Sequence, residues 1–170
     1  MRLYIGGSYQ GKREYVLSSW EKEHPESRGQ AVVAAGEQAA LQELKQADIL
    51  DHFHLLVRQL LESGNKMPEI QEYMRKIVME NPDIWVICDE VGMGIVPIDA
   101  FERHYREAVG RCCCELAKEA EQVVRVICGI GMKIKIISPV QSIDDPPMPS
   151  ESHPGSPPNL HAPYDNDTLR

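Results

Sequence analysis

The chain has 170 residues, 42% of them apolar and 26% charged, with a formal net charge of −8 at pH 7. That is enough apolar material for one real core, and the length favours a single ordered domain. The acidic balance disfavours non-specific nucleic-acid binding, and the apolar runs are too short to cross a bilayer. Met1-Arg2-Leu3 leads straight into a strand without the apolar stretch of a signal peptide, so a soluble cytoplasmic protein with no membrane span is expected.

In chain order, Arg2–Gly6 reads as a strand, Lys12–Glu23 as a helix, Ala31–Ala34 as a strand and Glu37–Lys45 as a helix. Ala47–Asp51 ends as a strand entering a helix over Phe53–Glu62, and Pro68–Glu80 is a further helix. Ile84–Cys88 is an apolar strand, and Asp99–Glu121 is the strongest helical pattern, with Phe101, Tyr105, Ala108, Val109, Cys112 and Leu116 at helical spacing. Asp99 suits an N-cap. Val123–Cys128 and Lys133–Ile137 complete the strands. Alternation of short apolar runs with amphipathic stretches predicts an α/β fold with a largely parallel central sheet flanked by helices. The composition changes after Ser138: eight of the twelve prolines lie in Pro139–Pro163, and the segment carries five acidic residues against Arg170. The expected organisation is an α/β domain over 1–138 and a Pro-rich acidic tail over 139–170, disordered for want of apolar surface to bury.

The chemistry concentrates at strand ends. Gly6-Gly7-Ser8-Tyr9-Gln10-Gly11-Lys12-Arg13 follows the first strand and opens a helix, the order of a phosphate-binding loop. Backbone N–H groups of such a loop converge on phosphate, and Lys12 reaches the terminal phosphates. Arg13 stands where Ser or Thr ordinarily contacts Mg²⁺. Asp51 and the pair Asp89-Glu90 end strands at the carboxyl edge of the predicted sheet, where ligands of open α/β sheets bind. Asp51 and Glu90 are therefore candidate Mg²⁺ ligands, with a solvated turn as the alternative for Asp89-Glu90. His52 and His54 do not share a helix face and read as ordinary, partly buried histidines. The five cysteines, at 88, 112, 113, 114 and 128, lack zinc spacing, and adjacent Cys112, Cys113 and Cys114 point three ways from a helix.

Glu90-Val91-Gly92-Met93-Gly94-Ile95-Val96-Pro97, Arg103-His104-Tyr105-Arg106, Gly110-Arg111 and Gly129-Ile130-Gly131-Met132-Lys133-Ile134-Lys135 resemble the C-terminal half of the bifunctional adenosylcobinamide kinase/adenosylcobinamide-phosphate guanylyltransferase family. The resemblance implies a P-loop fold, a homotrimer, and ATP or GTP with Mg²⁺ as reactants in cobalamin biosynthesis. It further implies phosphorylation of the adenosylcobinamide hydroxyl, then GMP transfer through a guanylylated histidine. Lys12, Asp51 and Glu90 are the catalytic residues this suggests, with Gly6, Gly7, Ser8, Tyr9, Gln10, Gly11, Lys12 and Arg13 binding nucleotide. The chain departs from the family in three places. Gln10 and Arg13 replace two loop serines, Asp89 replaces Asn, and the stretch from Lys12 to Asp51 lacks the segment bearing the nucleophilic histidine. His24, followed by Pro25, does not match it, so no guanylylated histidine is identified. The sequence thus predicts an adenosylcobinamide kinase-type transferase. The alternative is a catalytically silent relative that binds nucleotide or corrinoid in a regulatory or assembly role.

Overall fold

The computed structural model describes residues 1–137. The tail expected over 139–170 lies outside them. The elements are β1 (Arg2–Gly6), α1 (Lys12–Glu23), β2 (Val33–Ala35), α2 (Leu41–Leu44), β3 (Ile49–Asp51), α3 (Phe53–Glu62), α4 (Met67–Glu80), β4 (Trp85–Asp89), α5 (Ala100–Glu119), β5 (Gln122–Ile127) and β6 (Ile130–Ile136). They form a six-stranded sheet in the order β2-β3-β4-β1-β5-β6, parallel throughout except for the antiparallel β5–β6 hairpin. Among the described residues no helix is long and apolar enough to cross a membrane.

The strand alternation sorts the core into two layers. Leu3, Leu50, Val86, Cys88 and Val123 pack on the side of α3, α4 and α5, against Phe53, Leu56, Ile70, Tyr105 and Val109. Their neighbours in the same strands, Tyr4, Ile49, Trp85, Ile87, Val124 and Val126, pack with Val16 and Trp20 of α1. A strand covered on both faces reads as a continuous apolar run, as Trp85-Val86-Ile87-Cys88 does. The expected helix over Glu37–Lys45 shrinks to the single turn of α2, because Ala39 and Leu44 are the buried residues available to anchor it. At α5, Asp99 is the N-cap and accepts from the Glu102 N–H at 3.0 Å.

Two close backbone approaches fix the sheet's carboxyl edge. A Cβ on Gly6 would run into the Val126 carbonyl oxygen, so β1 and β5 can meet there only with glycine at this position. The β5–β6 turn places both Cys128 (φ 51°) and Gly129 (φ 75°) in the left-handed region, the backbone of a two-residue type I′ hairpin. That conformation is ordinary for Gly129 and uncommon for Cys128.

Gly6→Ala should therefore lower stability by about 2 kcal/mol through overpacking. Chemical denaturation of the two proteins checks this, and equal midpoints would show that β1 and β5 can separate at no cost.

Candidate functional site

Parallel register carries three strand ends to the same place. Gly6 pairs with Asp89, and Asp51 ends β3 on the other side of β4. Alternation then selects the side: Asp51 follows Ile49, and Asp89 follows Ile87 and Trp85, all on the α1 face of the sheet. A cleft of about 440 Å³ opens there, lined by Ser8–Glu14, Asp51, His52, His54, Leu55 and Asp89.

Gly11 adopts φ 75° at the N-cap of α1, a backbone that suits glycine, and a Cβ there would lie 3.2 Å from the Gly129 Cα. The loop is tied to the β5–β6 turn on this side. The Cys128 N–H donates to Gln10 Oε1 at 2.9 Å, and the Gly129 N–H donates to the Gln10 carbonyl at 2.8 Å. Gln10 thus serves as a strap. Tyr9 at the loop tip is fully exposed with φ 59°.

Lys12 is 6% exposed. Its Nζ donates to the Gly7 carbonyl at 2.7 Å and pairs with Asp89 Oδ1 at 2.7 Å. An ammonium has three N–H donors, so one remains for a ligand. The Ser8 hydroxyl donates to Asp89 Oδ2 at 2.6 Å. Burial by itself would raise the Asp89 carboxyl, but the bonds from Lys12 and Ser8 outweigh it and hold the group below its ordinary value of 3.8.

Asp51 is buried and accepts from the His52 N–H at 2.8 Å through Oδ1, while its Oδ2 lies 3.7 Å from Arg13 Nε. Arg13, expected beside the phosphates, therefore spends part of its charge on Asp51. His52 starts α3 in the left-handed region, with Nδ1 3.5 Å from Glu37. Burial is the main influence lowering the pKa of His54, against the opposing attraction of Asp89.

Glu90 is the site residue that the structure puts elsewhere. One position beyond Asp89, it turns to Arg125 of β5, whose Nη2 donates to its carboxylate at 3.0 Å, and it does not line the cleft. The strand-end carboxylates of the cleft are Asp51 and Asp89. Strand parity separates Asp89 from Glu90 once α1 is seen to cover the Trp85–Ile87 face. His24 also lies apart. Its ring stacks on Trp20 at 4.5 Å and binds the Trp20 carbonyl at 2.9 Å, at the far end of a twelve-residue helix, about 18 Å from Lys12.

Beyond Glu90 the chain exposes Met93, Ile95, Val96 and Ile98. Its path is held from α5 by backbone acceptors. Arg106 donates to the carbonyls of Gly92 and Ile95, and Arg103 donates to those of Pro97 and Ile98.

A glycine-rich loop between a central parallel strand and a helix, with a buried lysine and two strand-end carboxylates, defines a P-loop nucleotide-binding α/β domain. The family model described as cobinamide kinase / cobinamide phosphate guanyltransferase matches residues 10–134, and the chain belongs to that family. It is similar to the bifunctional adenosylcobalamin biosynthesis protein CobU of Salmonella typhimurium and to that of Escherichia coli, each 48% identical over 50 residues. Each match spans 29% of this chain and 28% of the relative.

Asp89→Ala should destabilise the protein by about 3 kcal/mol, because it strands a buried ammonium. In Asp89→Asn the acid limb should flatten: a carboxyl held low in the folded state contributes stability above its ordinary value, which is lost as pH falls through the lowered one. Denaturation curves between pH 7 and pH 3 read this. An unchanged pH slope in Asp89→Asn would remove the ion pair from the account.

Proposed function

We propose that this chain phosphorylates the hydroxyl of adenosylcobinamide, using ATP or GTP. The observation that carries this reading is Lys12, held at the mouth of the loop with one donor free, in a cleft that also gathers Asp51 and Asp89. Phosphoryl transfer asks a protein mainly for positioning and charge stabilisation, and these residues supply both.

The charges of the cleft support a role for Mg²⁺. Lys12 and Arg13 are offset by Asp51 and Asp89, so the protein side brings no surplus of positive charge to a triphosphate. The oxygen donors of Asp51, Asp89 and Ser8 suit a hard cation. Among the described residues no group of three or more His, Cys, Asp or Glu side chains is arranged to hold an ion, so phosphate oxygens and water would complete the shell. Bound there, the cation would offset the charge on the phosphates. Lys12 would give its remaining donor to a phosphate oxygen, and the loop N–H groups would orient the chain of phosphates. Loss of Asp89 or Asp51 would then reduce turnover more than the loss of Glu90. The exposed apolar side chains Met93, Ile95, Val96 and Ile98 begin four residues after Asp89 and offer the corrinoid an apolar surface on the chain that leaves β4.

For the guanylyl step, His24 is not the acceptor in this reading: its ring is stacked on Trp20 and lies outside the cleft lining.

Incubation with γ-labelled ATP or GTP, Mg²⁺ and adenosylcobinamide should place label on the corrinoid, and Lys12→Ala should weaken triphosphate binding about ten- to a hundredfold. Tight nucleotide binding with no transfer would instead favour a silent, nucleotide-binding relative. In parallel, α-labelled GTP should leave no alkali-stable label on the chain. Label that disappears in His24→Ala would overturn that part.

A further inference from the structure

His54 stands on the first turn of α3, and its Nδ1 accepts the Asp89 N–H at 3.3 Å. A ring nitrogen that accepts carries no proton, so this contact assigns the proton of the neutral imidazole to Nε2. Among the described residues Nε2 has no hydrogen-bond partner, while the ring lines the same cleft as Lys12 and the loop. A second imidazole lies close by. His52 packs against the His54 ring at 5.7 Å between ring centroids, nearly perpendicular. The result is a neutral N–H donor, locked in one tautomer by the backbone of the residue whose carboxylate holds Lys12.

We propose that His54 donates its Nε2–H to a terminal phosphate oxygen of a nucleoside triphosphate in the cleft, a neutral contact from α3 opposite the charged one from Lys12. The proposal rests on the reading of the cleft as a nucleotide site. It assigns His54 a binding role that its helical spacing alone did not suggest. Neutrality matters because the cleft's cations already face carboxylates. A donor without charge binds phosphate without drawing Asp51 or Asp89 away from their partners.

The ring's two nitrogens can be replaced separately, which makes the role testable. Asn places an acceptor near the Nδ1 position and keeps the Asp89 contact without the far donor. Gln places an amide N–H near the Nε2 position and gives up that contact. Titration calorimetry with GTP, GDP, ATP and ADP in the presence of Mg²⁺ would be run on wild type, His54→Ala, His54→Asn and His54→Gln. Expected is a loss of about tenfold in triphosphate affinity in His54→Ala and His54→Asn, with diphosphate affinity changed less than twofold, and partial recovery in His54→Gln. Recovery in His54→Asn but not in His54→Gln would overturn the proposal, since it would mean that His54 merely supports the Asp89 backbone. Unchanged triphosphate preference in all three variants would overturn it too. Wild type that binds none of the four nucleotides would instead remove the nucleotide reading on which the proposal stands.

Discussion

The Lys12–Asp89 ion pair is the interaction on which the cleft depends. A lysine this buried is costly unless it is paired, and the pair exists because β1 and β4 lie in parallel register with Gly6 opposite Asp89. Sheet order thus decides electrostatics: an insertion of β5 between β1 and β4 would separate the two charges by a strand's width. The same pair sets the loop's shape, since Lys12 also grips the Gly7 carbonyl and Ser8 grips Asp89. The loop is thus shaped around its own lysine by contacts made within the protein.

On its other flank the loop leans on the hairpin turn. Gln10 takes two N–H groups from Cys128 and Gly129, and Gly11 nearly touches Gly129. This explains why the edge hairpin carries a strained residue at Cys128: a type I′ turn aims two successive N–H groups at one side, where Gln10 receives them. A side chain as short as serine could not span the same distance. The Glu90–Arg125 pair adds a further link between β4 and β5, so four contacts brace the sheet's carboxyl edge around the loop.

Much of this was legible from the sequence. β1, α1 and α3 fall where periodicity and the Gly-Lys spacing put them, and Asp99 caps α5 as expected. Their signals are local: a glycine run, a helical stripe, a capping aspartate. What was not legible depends on which face of a strand another element covers. Asp89 and Glu90 are adjacent carboxylates with the same chemistry, and only the packing of α1 on the Tyr4–Ile87 face tells them apart. The role of Gln10 needed the turn at Cys128 to be brought beside it across more than a hundred residues of chain. His54 looked ordinary because helical spacing compares it with His52, whereas its informative partner is the backbone of Asp89. The family resemblance reached the same fold by another route, through the Glu90–Pro97 and Gly129–Lys135 runs, and the family match over residues 10–134 bears it out.

The segment from Gly92 to Ile98 is held by Arg103 and Arg106 entirely through its carbonyl oxygens. Every residue type provides a carbonyl, so the fixation is blind to the side chains it carries. Met93, Ile95, Val96 and Ile98 can therefore be exchanged for others without redirecting the backbone. Mutation can sample new surface chemistry along this segment while the scaffold stays indifferent, an arrangement that separates the tuning of a surface from the inheritance of shape.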